Sequence, residues 1–131
     1  MKATLIASVI AALILFANSV GGRVEGYFFP VVAPAELDQI TAVGETRSRI
    51  WGRAARLRQC SFDRVVWFLG DARNHARADV DFEESTKVRP VGAFSFGPWL
   101  VQLTPVQLRN RSYAVAFHRC HPFWLTQTRF Y

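Results

Sequence analysis

The sequence predicts an all-β domain, a single antiparallel sandwich, standing behind one N-terminal hydrophobic helix. Three observations predict it. From Ala3 to Val20 no residue carries a charge. From about residue 47 to the end, short runs of β-branched and aromatic residues are broken by turn signals at the spacing of successive strands. The chain has two cysteines, and their places, Cys60 and Cys120, both fall in strand-like runs. With 131 residues in all, there is room for one domain beyond the helix.

The helix comes first. "ATLIASVIAALILFANSV" follows Lys2, ends before Gly21-Gly22-Arg23, and shows no polar face at the helical period. As a signal peptide it has a short positive start and small residues at Ala17 and Ser19 that suit cleavage after Ser19. As an uncleaved anchor its 18 uncharged residues fall within the roughly 17–25 that span hydrocarbon. Residues 1–22 are therefore an anchor or signal segment, with residues 3–20 meeting the membrane. Either way the rest stands outside the cytoplasm. The bacterial periplasm is the expected location, and secretion after cleavage is the alternative.

Residues 23–46 combine glycines, prolines and scattered apolar residues without a sustained period, which predicts a tether passing into a first strand or edge cover. Residues 47–131 form the domain. Strands are expected near 49–52, 55–62, 64–69, 78–83, 92–96, 98–103, 112–120 and 123–130. In "RVVWFLGD" both faces are apolar, so that strand is central. Gly70-Asp71, Gly92 and Gly97-Pro98 supply turns or bulges. The Arg47–Gln59 stretch also fits a short helix, because Ile50, Ala54 and Leu57 would share one face; its β-rich neighbours favour strand.

An even cysteine count in an oxidising compartment argues for a disulfide. Zinc held by Cys60, Cys120 and His118 or His121 is the rival, but zinc sites usually present ligands in paired short spacings, and adjacent strand residues face opposite sides. No metal and no cofactor is expected. Cys60 in an early strand, Trp67 in the next, and Cys120 late, after "LTPVQLRNRSYAVAFHRC", together resemble the immunoglobulin-like β-sandwich. The resemblance implies a Cys60–Cys120 bridge pinning the two sheets, with Trp67 packed on the sulfurs. "TPVQL" looks like the helical turn before the penultimate strand, with Thr104 as cap and Pro105 in the first helical position. His118 stands where the family places tyrosine, two before the second cysteine. Trp67 and His118 are thus the expected core pins, with His118 donating to a backbone carbonyl.

Alternation from an inward Cys120 turns His118, Ala116 and Ala114 inward and Tyr113, Val115 and Phe117 outward. An outward apolar row needs cover. Asp79, Asp81 and Glu83 share one strand face, read as a solvated face opposite Arg73, Arg77, Lys87 and Arg89 rather than a calcium site.

The exported part keeps a positive balance, and 14 of the chain's 16 basic residues are arginine. Outside the cytoplasm such a surface meets anionic lipid, cell-wall polymer or acidic protein rather than nucleic acid. Arg47, Arg49, Arg53, Arg56 and Arg58 are the densest run and, with Tyr113 and Phe117, the candidate partner contacts. No nucleophile elbow, glycine-rich phosphate loop or triad order is present. The expected function is a non-enzymatic exported or membrane-tethered binding or assembly module, acting on a protein or anionic envelope surface. The alternative is an accessory membrane-complex subunit or phage-type envelope effector acting through its transmembrane helix.

Overall fold

Nothing in the helix stops where charge returns at Arg23. In the computed structural model, which describes residues 1–84 and 88–131, helix α1 runs Lys2–Phe28. Residues 3–19 are exposed, and α1 is long and apolar enough to cross a membrane. Its final turns are packed instead, with Gly22 and Gly26 buried. Of the tether passing into a first strand expected over 23–46, the opening part is thus helix and the strand is present. Residues through Phe28 continue the helix, Val32 bridges to Arg56, and residues from Glu36 onward form a strand. Composition suggested a loop here because it was rich in glycine, yet two of those glycines are what let the helix approach the domain.

The strands are β1 (Glu36–Val43), β2 (Arg47–Arg56), β3 (Ser61–Gly70), β4 (His75–Ala78), β5 (Val80–Phe82), β6 (Gly92–Val101), β7 (Ser112–Arg119) and β8 (Thr126–Arg129), with a short helix α2 (Pro105–Asn110) between β6 and β7. They form two antiparallel four-stranded sheets, ordered β1-β2-β6-β5 and β4-β3-β7-β8. Strands thus dominate, but the chain is not all-β, since α1 and α2 belong to the structure. The ambiguous Arg47–Gln59 stretch is a strand to Arg56. The run expected at 78–83 is two strands in different sheets, because the chain crosses between sheets at Asp79. The two strands expected at 92–96 and 98–103 are one. Gly97, at φ +108°, makes a bulge within β6 opposite the step from Ile50 to Gly52 in β2.

Both sheets contribute to one core. Ile50, Phe96, Trp99 and Val101 from the first meet Val65, Trp67, Ala114 and Ala116 from the second. Leu108 on α2 closes one end. The cap of α2 is a capping box: the Thr104 hydroxyl accepts from the Gln107 amide at 3.3 Å, the Gln107 side chain accepts from the Thr104 amide at 3.0 Å, and Pro105 opens the helix.

Cys60 and Cys120 are joined, with Cα atoms 4.6 Å apart. The bridge does not pin sheet to sheet. Cys60 immediately precedes β3 and Cys120 immediately follows β7, and these strands are hydrogen-bonded neighbours, with Ser61 opposite Arg119. Trp67 is likewise not on the sulfurs: seven residues along a strand is ~23 Å. Trp67 is fully buried at the other end, its indole N–H donating to Ser112 Oγ at 3.0 Å and its ring 5.4 Å from that of Tyr131. Alternation can tell which way a cysteine points. It cannot tell which strand lies alongside.

Candidate functional site

Two constructions stand out, a mount that fixes α1 to the sandwich and a cavity between the sheets. The mount begins with glycine. β8 is the edge strand of the second sheet, and α1 lies along it so closely that a Cβ on Gly22 would overlap the Leu125 carbonyl oxygen, and one on Gly26 the Gln127 carbonyl oxygen. A helix laid against an edge also shields it from pairing with another chain. Between the two glycines stands Glu25. Its Oε2 accepts from His121 Nε2 at 2.8 Å, Trp124 Nε1 at 2.8 Å and Thr126 Oγ1 at 2.9 Å, and its Oε1 from Arg58 Nη2 at 3.0 Å. The carboxylate is only 14% exposed. Burial works to raise its pKa, but the four donors together outweigh burial and hold it at about 2. The Phe123 amide donates to His121 Nδ1 at 3.3 Å, so the neutral Nε2–H tautomer satisfies both of that ring's bonds. Arg58 also donates to the Phe29 carbonyl at 2.8 Å, tying down the helix end.

The cavity holds about 490 Å³. Val32, Phe62, Val65, Phe94, Trp99 and Phe130 make its walls mainly apolar, and Cys60, Ser61 and Gln59 place it at the end of the sandwich where α1 arrives. Its polar groups are mostly spoken for. Arg56 donates to the carbonyls of Arg58, Arg89 and Cys60; Glu84 accepts from Arg89 at 2.7 Å and from the Trp99 indole at 2.6 Å. The exception is His118, only 4% exposed, whose Nδ1 has no hydrogen-bond partner among the described residues. The carbonyl bond expected of His118 is thus not made at that atom; the ring lies 5.6 Å from that of Phe62. Burial, and then the charge of Arg56, push the imidazole down to about 4 against the opposing pull of Asp63, so it is neutral at pH 7.

Compared with known proteins, the chain matches no family model, no curated protein and no solved structure. Function must then rest on the chemistry of the residues themselves.

The five arginines of the candidate run are not one surface. Arg49 makes a two-pronged bond with Glu83, at 2.7 and 3.1 Å. Arg53 is held by Asp38 at 2.9 Å and reached by Glu36 at 3.7 Å. Arg56 is buried in the cavity wall and Arg58 is committed to Glu25. Arg47 is exposed at the start of β2. Most of this charge is paired inside the chain: β2 alternates, and acidic residues from β1 and from beyond β5 come to meet it. Glu83, expected on an acidic face opposite arginines 73, 77 and 89, meets Arg49 instead; Lys87 lies outside the described residues.

The outward row is half-buried. Tyr113 stacks on Phe68 at 5.0 Å, and the Arg64 guanidinium sits over the Phe117 ring at 4.4 Å. Inward Ala114, Ala116 and His118 are buried as alternation requires. Sequence reasoning missed Glu25, Trp124 and Thr126. The available signal was "GGRVEG", in which glycines four apart flank the first acidic residue of the chain.

Proposed function

We propose that the protein is a non-enzymatic module anchored in a bacterial envelope membrane, its sandwich held outside the cytoplasm to bind or assemble with a protein or anionic envelope partner. The observation that carries this reading is the mount. A carboxylate with four donors, between two glycines pressed on backbone oxygens, fixes the domain at a set angle to a helix fit to span a bilayer. Cleavage after Ser19 would cut α1 just ahead of the glycines and leave a short stub, which favours the uncleaved anchor. The disulfide favours an oxidising compartment.

We read the sandwich as immunoglobulin-like. With β1, β2, β3, β4, β5, β6, β7 and β8 taken as A, B, C, C′, D, E, F and G, the order β1-β2-β6-β5 opposite β4-β3-β7-β8 follows the family's A-B-E-D and C-F-G arrangement, and α2 falls between E and F. The bridge then joins C to F, where the family joins B to F.

A second reading has the same mount as support: an accessory subunit whose helix acts within the membrane and whose movements pass to the sandwich without slack. Fusions at Tyr131 test the sidedness common to both. An alkaline phosphatase fusion is active and a cytoplasmic reporter is dark if the reading holds; the opposite pattern refutes it. Photo-crosslinkers at Tyr113 and Phe117, repeated after replacing residues 1–20 with an unrelated span, separate the two. Retained crosslinks support the binding module, and crosslinks lost with the native helix support the subunit.

A further inference from the structure

The cavity stands apart from the mount in chemistry. Its walls are apolar, its volume of about 490 Å³ lies within the roughly 300–1,000 Å³ usual for small-ligand sites, and its charged residues bond to one another or to backbone. The His118 imidazole lines it, and among the described residues its buried Nδ1 has no hydrogen-bond partner. A buried polar atom left unpaired is costly, so such an imidazole in the wall of an apolar space points to a ligand that reaches the ring. That ligand needs an apolar body and one hydrogen-bonding oxygen.

The position of the cavity narrows the choice. Gln59, Cys60 and Ser61, which line it, sit at the start of β3, at the same end of the sheet as the start of β8, with the end of β7 between them. Along β8, Gly26 lies against Gln127, Gly22 against Leu125 and Gly21 against Trp124. Traced backward, α1 therefore leaves the sandwich past this same end, and its apolar residues 3–19 continue beyond it. Leu57 and Phe123, 48% and 72% exposed, stand on the loops of that end. If α1 spans a bilayer, the lined end is the one that faces it.

We propose that the cavity binds a single acyl chain, drawn from the membrane, with the His118 imidazole donating to the carboxyl or ester oxygen at its head. The orientation, though not the binding, rests on the anchor reading above. The chain lies against Val65, Phe94, Trp99 and Phe130, and Arg56 and Arg89 leave the local charge favourable to an anionic or ester head.

The test uses the full-length protein in an amphipol, with 9,10-dibromostearate as a contact quencher of Trp99. Saturable quenching is expected, reversed by excess oleate and missing from Trp99→Phe. A brominated monoacyl phosphocholine, run in parallel, distinguishes a free fatty acid from a phospholipid chain as the source. Ala116→Leu should weaken binding at least tenfold by filling the cavity, and His118→Phe about tenfold by removing the donor. Should either variant fail to fold, the histidine ring ¹⁵N signals of the unaltered protein decide: the His118 signals move on adding oleate. Quenching that does not saturate, or that is unchanged in Trp99→Phe, or His118 signals that stay put, overturns the proposal. All of these are read on purified protein and are independent of its sidedness, so they can fail while the fusion result stands, and the reverse.

Discussion

Replacing Glu25 with Gln tests the mount most directly. The folded structure lowers this carboxyl from the ordinary 4.5 to about 2. At about 1.36 kcal/mol per unit, that difference corresponds to about 3 kcal/mol of preference for the docked, ionised state at neutral pH. The sign follows from the direction. A depressed carboxyl stabilises fully above its unfolded value and loses that stabilisation as pH falls from about 4.5 to about 2. Glutamine keeps one acceptor oxygen, but its NH₂ replaces the other and so faces either Arg58 at the Oε1 position or His121, Trp124 and Thr126 at the Oε2 position; at pH 7 it loses most of the same amount and strands at least one donor. The assay is amide hydrogen exchange of residues 21–29 in the full-length protein held in an amphipol, which reads the helix end separately from the sandwich. A loss of about 3 kcal/mol raises the opening equilibrium by roughly 150-fold. The unaltered protein should show the same loosening on acidification, and Glu25→Gln should not. Exchange within twofold of the unaltered protein at pH 7, or an acid transition that survives in Glu25→Gln, would refute the reasoning.

Gly26→Leu forces a side chain into the Gln127 carbonyl, so exchange in β8 should rise along with that in the helix end, whereas Gly44→Leu, where a Cβ meets nothing within 4 Å, tests only the turn; equal effects would argue against close docking. His118 has a folded value depressed to about 4, so the protein should lose stability as pH falls from about 6.5 to about 4; thermal melts of His118→Gln should flatten in that window and leave the melt above pH 7 less affected. Opening the Cys60–Cys120 bridge, which closes a 60-residue separation, should cost about 4 kcal/mol on the chain-entropy account and lower the melting temperature by roughly 15–25 °C for a domain of this size; a change under 5 °C would show the bridge to be dispensable. Trp67→Phe keeps the ring contact with Tyr131 but removes the indole N–H that donates to the Ser112 hydroxyl, leaving that hydroxyl its own bond to the Leu108 carbonyl at 2.6 Å; denaturant melts should show a loss of about 1 kcal/mol.

Local pattern carried much of the fold. The strands, the bulge at Gly97-Pro98, the cap at Thr104 and the inward set Ala114, Ala116 and His118 are all properties of a few consecutive residues, and those residues state them. What the sequence withheld was adjacency. Cys60 and Cys120 read as a pair, but whether they join strands across the core or side by side depends on sheet order, which no local period encodes. The arginines from 47 to 58 read as a surface because their partners, Asp38, Glu83 and Glu25, lie 15, 34 and 33 residues away from the arginines they hold. The crossover at Asp79 was hidden for the same reason, since Val80 and Phe82 alternate as any strand would.

The mount shows why composition misjudged the boundary between helix and domain. Glycine disfavours helix by about 1 kcal/mol per residue, so three glycines between 21 and 26 suggest a break. That cost is met by tertiary contact: close approach to β8 is possible only without a Cβ, and it places Glu25 among donors drawn from the loop before β8, from Thr126 at the start of β8 and from Arg58. Each part depends on the others. Larger residues at 22 or 26 would hold the carboxylate away from His121, Trp124 and Thr126, and without the carboxylate four buried or half-buried donors would oppose docking rather than favour it. A flexible linker would let the sandwich sample every angle to the helix. This junction permits one, and so keeps the end bearing the disulfide, the cavity mouth, Leu57 and Phe123 turned toward the side from which the helix comes.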